Sequence, residues 1–182
     1  MSDTKVFIGG SRHLSRLDAE VKQRLDKIVE SGVSVLVGDA NGADKAVQTY
    51  LATDRYPSVT VFCTAGRCRN NVGAWPTRVI SAPVGARGFA FYVVKDGAMA
   101  QEATHGLMLW DGDSKGTLNN IVSLVKLEKP VVVFFGPTRS FVTVRTREDI
   151  AHLLAKCDPT AVERFEKELD LDRVLHEGAR LI

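Results

Sequence analysis

The chain has 182 residues, a length that suits one domain and is short for two. Its hydrophobic fraction of 45% and charged fraction of 25% are those of an average globular protein. The formal net charge is +2, and the charges are spread along the chain. Because a nucleic-acid footprint usually shows as a concentrated basic face, we expect nucleic acid to be an unlikely partner.

Apolar runs and cysteines indicate the compartment. The longest apolar run covers residues 131–135, far short of the roughly 20 residues that a membrane-spanning helix needs. The first residues show no signal-peptide pattern. Cys63, Cys68 and Cys157 have neither a disulfide-framework spacing nor a zinc spacing, so isolated reduced thiols are predicted. We therefore expect a cytoplasmic protein with no membrane partner.

Short apolar runs alternate along the chain with longer segments of helical period, the pattern of a parallel sheet covered on both faces. Core strands are predicted at residues 6–8, 33–37, 59–62, 106–110 and 131–135. Helices are predicted at residues 14–29, 43–53, 89–104 and 114–127. Residues 64–88 form a long irregular stretch that holds a candidate short strand at 78–81, and a loop of this length is usually functional.

Right-handed crossovers turn this pattern into an α/β fold. We expect a Rossmann-like, doubly wound, mostly parallel five-stranded sheet of order about 3-2-1-4-5, with an antiparallel edge strand at residues 141–145. Residues 1–145 would form a nucleotide-binding domain. Residues 146–182 would be its helical C-terminal extension, packed on the same domain or on a partner subunit of a homo-oligomer. Ligands in such sheets bind outside the carboxyl ends of the strands, where the strand order reverses.

The loop after the first strand contains Gly9, Gly10, Ser11 and Arg12. The glycines let the backbone approach a ligand, and an arginine presents donors that match a phosphate bidentately. The loop is equally compatible with a tight turn that carries a solvated arginine.

The loop after the second strand contains Gly38, Asp39 and Asp44. The two carboxylates would accept hydrogen bonds from ribose hydroxyls or orient Arg12. Asp44 would alternatively stabilise the dipole of the helix that follows, since it lies in its first turn.

The loop after the fourth core strand contains Asp111, Gly112, Ser114, Gly116 and Thr117. It leads into a helix, whose unpaired N–H groups and positive dipole end favour an anion. An ordinary N-cap by Ser114 is the alternative. Since the three glycine loops follow adjacent strands, we expect them to converge on one phosphate-binding crevice.

Several well-known motifs are missing from the sequence. The first strand is not followed by G-x-G-x-x-G, and neither G-x-x-x-x-G-K-[ST] nor G-x-S-x-G occurs. The histidines lie far apart, without the spacing of metal ligands. We therefore expect no metal and no cofactor.

Three segments together resemble the YspA-like branch of the SLOG superfamily, which takes its name from the DNA-processing protein DprA (Smf) and the lonely-guy cytokinin-activating enzymes. The segments are residues 8–12, 38–46 and 109–117. Lys95-Asp96 followed by Met99-Ala100 is also similar to a pattern of this branch, and Lys95 with Asp96 would be a site pair if it faced the crevice. The resemblance covers about residues 5–135.

The resemblance implies a Rossmann-like fold and a nucleotide, phosphoribosyl or ADP-ribose-like ligand. Relatives include phosphoribohydrolases that remove the base from a nucleoside 5′-monophosphate, so an N-glycosidase is the alternative function. Single-stranded DNA handling, by analogy with DprA, is a less favoured third. Lonely-guy enzymes carry P-G-G-x-G-T-x-x-E, and Asn120 stands here in place of that glutamate. Because an amide cannot act as nucleophile or general base, Glu102 or Asp111 would have to be the catalytic carboxylate.

Overall fold

One sheet of seven strands organises the computed structural model, which describes residues 3–176. The strands are β1 (Lys5–Gly10), β2 (Ser34–Gly38), β3 (Val59–Thr64), β4 (Thr77–Ile80), β5 (His105–Trp110), β6 (Val131–Phe135) and β7 (Ser140–Val144). Their order across the sheet is β4-β3-β2-β1-β5-β6-β7. Neighbouring strands are parallel except for β6 and β7. The fold is thus the expected mostly parallel, Rossmann-like α/β fold.

The expected strand count and full order are wrong. The segment after β3 forms β4, which pairs in parallel with β3 and extends the sheet beyond it. The sheet therefore has six parallel strands plus the antiparallel edge strand β7. Within this larger sheet, the five predicted core strands follow one another in their predicted relative order.

Helices cover both faces of the sheet because side chains of each strand alternate between the faces. On one face, α1 (Ala19–Glu30) and α2 (Ala43–Thr53) bury Leu25 and Leu51 in a cluster that includes Ile8 of β1. On the other face, α3 (Gly88–Glu102) and α4 (Lys115–Lys126) pack in a second cluster that includes Phe7. The two successive β1 residues thus belong to different cores.

The C-terminal helices join the second of these cores. They are α5 (Arg147–Leu154), α6 (Pro159–Leu169) and α7 (Leu171–His176). Phe165 of α6 is fully buried, and its ring centroid lies 6.0 Å from that of Trp110 at the end of β5. The described part of the extension therefore packs on its own domain, while residues 1, 2 and 177–182 of the two predicted segments lie outside the described residues.

The expectation of three isolated thiols is wrong for two of them. Cys63 in β3 and Cys68 in the following loop form a disulfide, with their Cα atoms 5.2 Å apart. Cys157 has no disulfide partner within the described residues, and burial raises the pKa of its thiol to about 11. Spacing alone missed the pair because a reversal of the chain after β3, invisible in the sequence, brings the two residues together.

Within residues 3–176, no helix combines the length and the apolar character needed to cross a membrane.

Candidate functional site

A crevice of about 480 Å³ opens at the carboxyl ends of the central strands. This volume is in the range of small-molecule binding sites. It lies where the first glycine loop, the start of α2, the first half of α3 and the start of α4 meet. Of the residues singled out in the three glycine loops, those that line the crevice are Gly9, Gly10, Arg12, Asp44, Ser114, Gly116 and Thr117.

Ser11 lies beneath the crevice and joins the elements around it. It is fully buried, and its N–H donates to Leu109 O at 2.9 Å while its carbonyl accepts the N–H of Ala43 at 3.2 Å. Its Oγ accepts the N–H of Asp111 at 3.1 Å and lies 3.5 Å from Thr117 Oγ1. Since these contacts occupy the hydroxyl, Ser11 holds the loops together instead of facing the crevice.

Gly10 is required by the close approach of β1 to its neighbours. A Cβ at this position would collide with Leu109 O and lie 2.7 Å from the Cβ of Ala43. The first turn of α2 can therefore lie directly against the end of β1, and this contact brings Asp44 toward the crevice.

Asp111 organises the loop that precedes α4. Its Oδ1 accepts the N–H of Ser114 at 2.8 Å and that of Asp113 at 3.0 Å, while Ser114 Oγ caps the helix by accepting the N–H of Thr117 at 3.3 Å. Burial alone would raise the pKa of Asp111, but hydrogen bonds from the Asp113 backbone and Ser11 outweigh burial and lower it. Asp111 is an ionised structural carboxylate, and Gly112 beside it has a positive φ of 80°.

Four polar residues, which we name the floor cluster, line the deep end of the crevice: Asp44, Lys95, Asp96 and Asn120. Lys95 Nζ lies 2.6 Å from Asp96 Oδ1, and Asn120 Nδ2 donates to Asp96 Oδ2 at 3.4 Å. The Lys95 side chain is only 5% exposed. The pair Lys95-Asp96 therefore does face the crevice, and Asn120 lies beside it.

Burial disfavours the charged forms of Asp44 and Lys95 in the floor cluster. It raises the pKa of Asp44 to about 6, although the nearby Lys95 ammonium opposes the change. Burial alone would lower the pKa of Lys95, but Asp96 and Asp44 outweigh it and raise that pKa. The floor thus holds a firmly protonated ammonium, the Asp96 carboxylate and a carboxyl group that ionises reluctantly.

Cations and aromatic rings surround the mouth of the crevice. The Cζ atoms of Arg12 and Arg69 lie 5.2 Å and 4.7 Å from the ring centroid of Tyr92, and Lys115 Nζ lies 4.5 Å from that of Phe89. Arg12 and Arg69 line the crevice, and Lys115 lies beside it at the start of α4. We name these three residues the cationic rim. Both rings belong to the first turns of α3, so two loops and the start of α4 contact this helix.

Asp39 fixes the position of Arg69. Its Oδ1 accepts from Arg69 Nη2 at 2.8 Å, and its Oδ2 accepts from Arg69 Nε at 3.2 Å and from the Arg69 backbone N–H at 3.0 Å. Burial alone would raise the pKa of Asp39, but the bonds from Arg69 outweigh burial and lower it. Asp39 and Gly38 therefore lie behind the residues that line the crevice and do not line it themselves.

Glu102 lies at the amino ends of the strands, opposite the crevice. Its carboxylate accepts from Lys5 Nζ at 2.8 Å and also pairs with Arg78. Lys5 is the first residue of β1, so this contact marks the amino ends of the strands. The structure does not bring Glu102 to the crevice.

The residues of the site that sequence reasoning missed include Arg69, Phe89 and Tyr92. The unusual length of the segment at residues 64–88 indicated a functional loop but not which of its side chains matter. Among residues 3–176, no three His, Cys, Asp or Glu side chains are grouped so as to hold a metal ion.

No protein-family model and no curated protein matches this sequence. A solved structure of DNA processing protein A from Helicobacter pylori, described for its single-stranded DNA binding mode, is similar with a TM-score of 0.58. The likeness covers 92% of this chain and 81% of that chain at 15% sequence identity. Identity this low shows the shared Rossmann-like fold alone.

The comparison corrects one expectation. Nucleic acid was expected to be an unlikely partner because the net charge is small and dispersed, yet a protein of this fold binds single-stranded DNA. Net charge is a poor guide here, because cations gathered at one crevice change the local potential without changing the total. The likeness agrees with the Rossmann-like fold that the sequence motifs imply.

Proposed function

We propose that the crevice binds a phosphate-bearing nucleotide or nucleotide-derived ligand, such as a nucleoside 5′-monophosphate or an ADP-ribose-like molecule. The observation that carries the proposal is the division of one crevice into a cationic rim and a floor cluster with two carboxyl groups. A nucleotide has the matching division, since its phosphate is anionic and its sugar carries hydroxyl donors.

The phosphate end of the ligand would lie at the rim. Arg12 is exposed and offers a guanidinium fork, which suits a phosphate better than a point charge does. The start of α4 adds backbone N–H groups at the positive end of a twelve-residue helix. At Gly116, a Cβ would meet no atom within 4 Å, so space for an anion lies directly over this backbone.

The sugar would lie toward the floor cluster. Carboxylate oxygens accept hydrogen bonds and donate none when ionised, so Asp96 suits a pair of ribose hydroxyls. Tyr92 and Phe89 supply ring faces on which a base would stack. On its motifs, we also propose that the chain belongs to the YspA-like branch.

We propose ligand binding only and assign no hydrolytic activity to the crevice. Of the two carboxylates considered for N-glycosidase chemistry, Glu102 lies at the amino ends of the strands. Asp111 does not line the crevice, and its Oδ1 accepts two backbone N–H groups. Asn120, which occupies the position of the lonely-guy glutamate, contacts Asp96, and its amide cannot act as a general acid or base at neutral pH.

Isothermal titration calorimetry with AMP and with ADP-ribose tests the proposal. Arg12→Ala should weaken binding by about tenfold or more, because it removes a charge-assisted hydrogen bond of about 1.5–3 kcal/mol. Arg145→Ala is the matched control, since Arg145 is exposed and follows antiparallel β7 at the amino ends of the parallel strands, away from the crevice. Equal affinities for wild type and Arg12→Ala, or no binding of either compound, would overturn the proposal.

A second candidate function is the binding of single-stranded DNA, favoured by the fold shared with DNA processing protein A. Cations interleaved with aromatic rings are the features that bind single strands, and the rim has them at the half-buried Tyr92 and the exposed Phe89. Fluorescence anisotropy with an oligothymidine at several salt concentrations tests it. The candidate requires an affinity that falls with salt and with Arg12→Ala but not with Arg145→Ala. If AMP displaces the oligonucleotide, both ligands use the same crevice.

A further inference from the structure

We propose that Cys63 and Cys68 form a thiol–disulfide exchange site, at which a low-molecular-weight disulfide of the glutathione class sets the position of Arg69 in the crevice. This inference goes beyond the proposed function, because it concerns the state of the protein before any ligand binds.

A sharp turn brings the two cysteines together. Cys63 lies in β3 and is fully buried, whereas Cys68 lies five residues further on and is half-buried. Between them, Ala65 and Gly66 have positive φ angles of 38° and 76°. A left-handed conformation at a residue other than glycine costs roughly 1–2 kcal/mol, so this turn needs a constraint to hold it. The disulfide supplies that constraint at Cys68, while the N–H of Ala65 donates to Ile80 O at 3.0 Å at the start of the turn.

The unequal burial of the two sulfur atoms fixes the course of the exchange. An incoming thiolate reaches the half-buried Cys68 sulfur, forms a mixed disulfide with it, and releases Cys63 as a thiolate that takes up a proton. A second external thiolate then attacks the external sulfur of the mixed disulfide, and Cys68 leaves as the second thiol. The sum is one protein disulfide and two external thiols giving two protein thiols and one external disulfide.

Arg69 transmits the redox state to the crevice because it follows Cys68 directly. Its backbone N–H and its guanidinium all donate to Asp39, and its guanidinium lies over the ring of Tyr92. These contacts need the backbone at residue 69 to be held in place. Reduction releases the turn at residues 65–68 and thereby loosens one of the three cations of the rim.

The conformational change caused by reduction of the disulfide should stay within the turn and Arg69. Beyond Arg69, Asn70 Nδ2 donates to Asp39 O at 2.8 Å, and the N–H of Val72 donates to Gln48 Oε1 at 2.9 Å. Gln48 is fully buried and also donates to Gly38 O at 2.8 Å, so it anchors the later part of the loop independently of the disulfide. Reduction should therefore leave the segment after residue 70 in place.

Hydrogen exchange followed by mass spectrometry tests the proposal without any ligand. The protein is equilibrated either with glutathione disulfide or with excess reduced glutathione, and exchange of the peptide containing residues 64–72 is compared. We expect the Arg69 amide to exchange at least about tenfold faster after reduction, because opening exposes a protected N–H. Cys68→Ser should exchange fast in both buffers, and Cys157→Ser should behave as wild type.

Equal exchange of the Arg69 amide in both buffers would overturn the proposal, as would a protein that forms no Cys63–Cys68 bond in glutathione disulfide. AMP affinity measured in the two states gives the second readout, and we expect weaker binding after reduction. The same AMP affinity in both states would show that the pair does not control the crevice. No AMP binding in either state counts against the proposed function, and the amide exchange then decides the redox proposal by itself.

Discussion

Replacing Asp44 by asparagine tests whether the floor cluster contains a carboxyl group that resists ionisation. Asp44 is 7% exposed and lies on the first turn of α2, with Lys95 and Asp96 as its charged neighbours. Burial raises its pKa from 3.8 to about 6. Each tenfold change in proton affinity is worth about 1.4 kcal/mol, so this shift corresponds to about 3 kcal/mol of free energy of unfolding.

The direction of the pH dependence follows from the pKa of Asp44 in the folded and the unfolded chain. The unfolded chain ionises this group near pH 3.8 and the folded chain near pH 6, so between these values the folded chain binds more protons. The contribution of Asp44 to the free energy of unfolding is therefore highest below the lower value, falls as pH rises through this window, and is level above it. Asparagine binds no proton in either state.

Urea unfolding of wild type and Asp44→Asn at pH values between about 3.5 and 7.5, followed by tryptophan fluorescence, measures the effect. The stability of wild type relative to Asp44→Asn should fall by about 3 kcal/mol across this range. A difference that does not change with pH would refute the argument.

Asp39→Asn supplies a contrast of opposite sign. The pKa of Asp39 is lowered, because its hydrogen bonds with Arg69 outweigh its burial. Its contribution to stability is therefore present above the unfolded pKa and is lost as pH falls through the folded value. Wild type should gain stability relative to Asp39→Asn as pH rises. Slopes of the same sign in both variants would show that burial alone governs the site.

Three further substitutions test the packing around the crevice. Gly38→Ala should lower the free energy of unfolding by about 2 kcal/mol in urea titrations, since the new Cβ would collide with Asp44 and lie 2.8 Å from Lys95 Nζ; unchanged stability would contradict this tight contact. Thr64→Val should raise the free energy of unfolding by about 1 kcal/mol, because Thr64 Oγ1 is buried without a hydrogen-bond partner among the described residues. A loss of stability would mean that this hydroxyl does form a hydrogen bond. Arg164→Ala should weaken AMP binding about threefold, as measured by calorimetry, because Arg164 Nη2 donates to Asp113 O at 2.7 Å beside the start of α4. An unchanged affinity would show that this contact does not position the loop.

The sequence predicted the place of the crevice because the rule behind it is topological. Parallel strands joined by right-handed crossovers place every loop that follows a strand at one edge. Gly9, Asp44 and Ser114 therefore line one crevice, although they are far apart in the chain. The same rule applies to Glu102, which lies just before β5. The end of a helix that precedes a parallel strand belongs at the amino edge of the sheet, so Glu102 was a poor candidate for the crevice on topology alone.

The rest of the site could not be predicted because it depends on an irregular loop. Arg69 reaches the crevice through a disulfide, two residues with positive φ and the hydrogen bonds of Asp39. None of these features has a period or a spacing that a sequence pattern reveals. Strand β4 was predicted as a candidate short strand at residues 78–81 but was not included in the strand order. Its four residues are mostly exposed, so it lacks the apolar run that marks the other parallel strands.

The contact between α6 and the loop before α4 has a consequence for the order of events during synthesis. Arg164 holds Asp113 from 51 positions further along the chain, and Lys115 Nζ pairs with Glu168 at 2.6 Å. A ribosome adds roughly 5–20 residues per second, so the segment that supports this loop leaves the exit tunnel seconds after the strands of the sheet have been made. The nascent sheet and its first helices therefore lack the support of this side of the crevice until α6 emerges, and the affinity for the ligand should reach its full value only then.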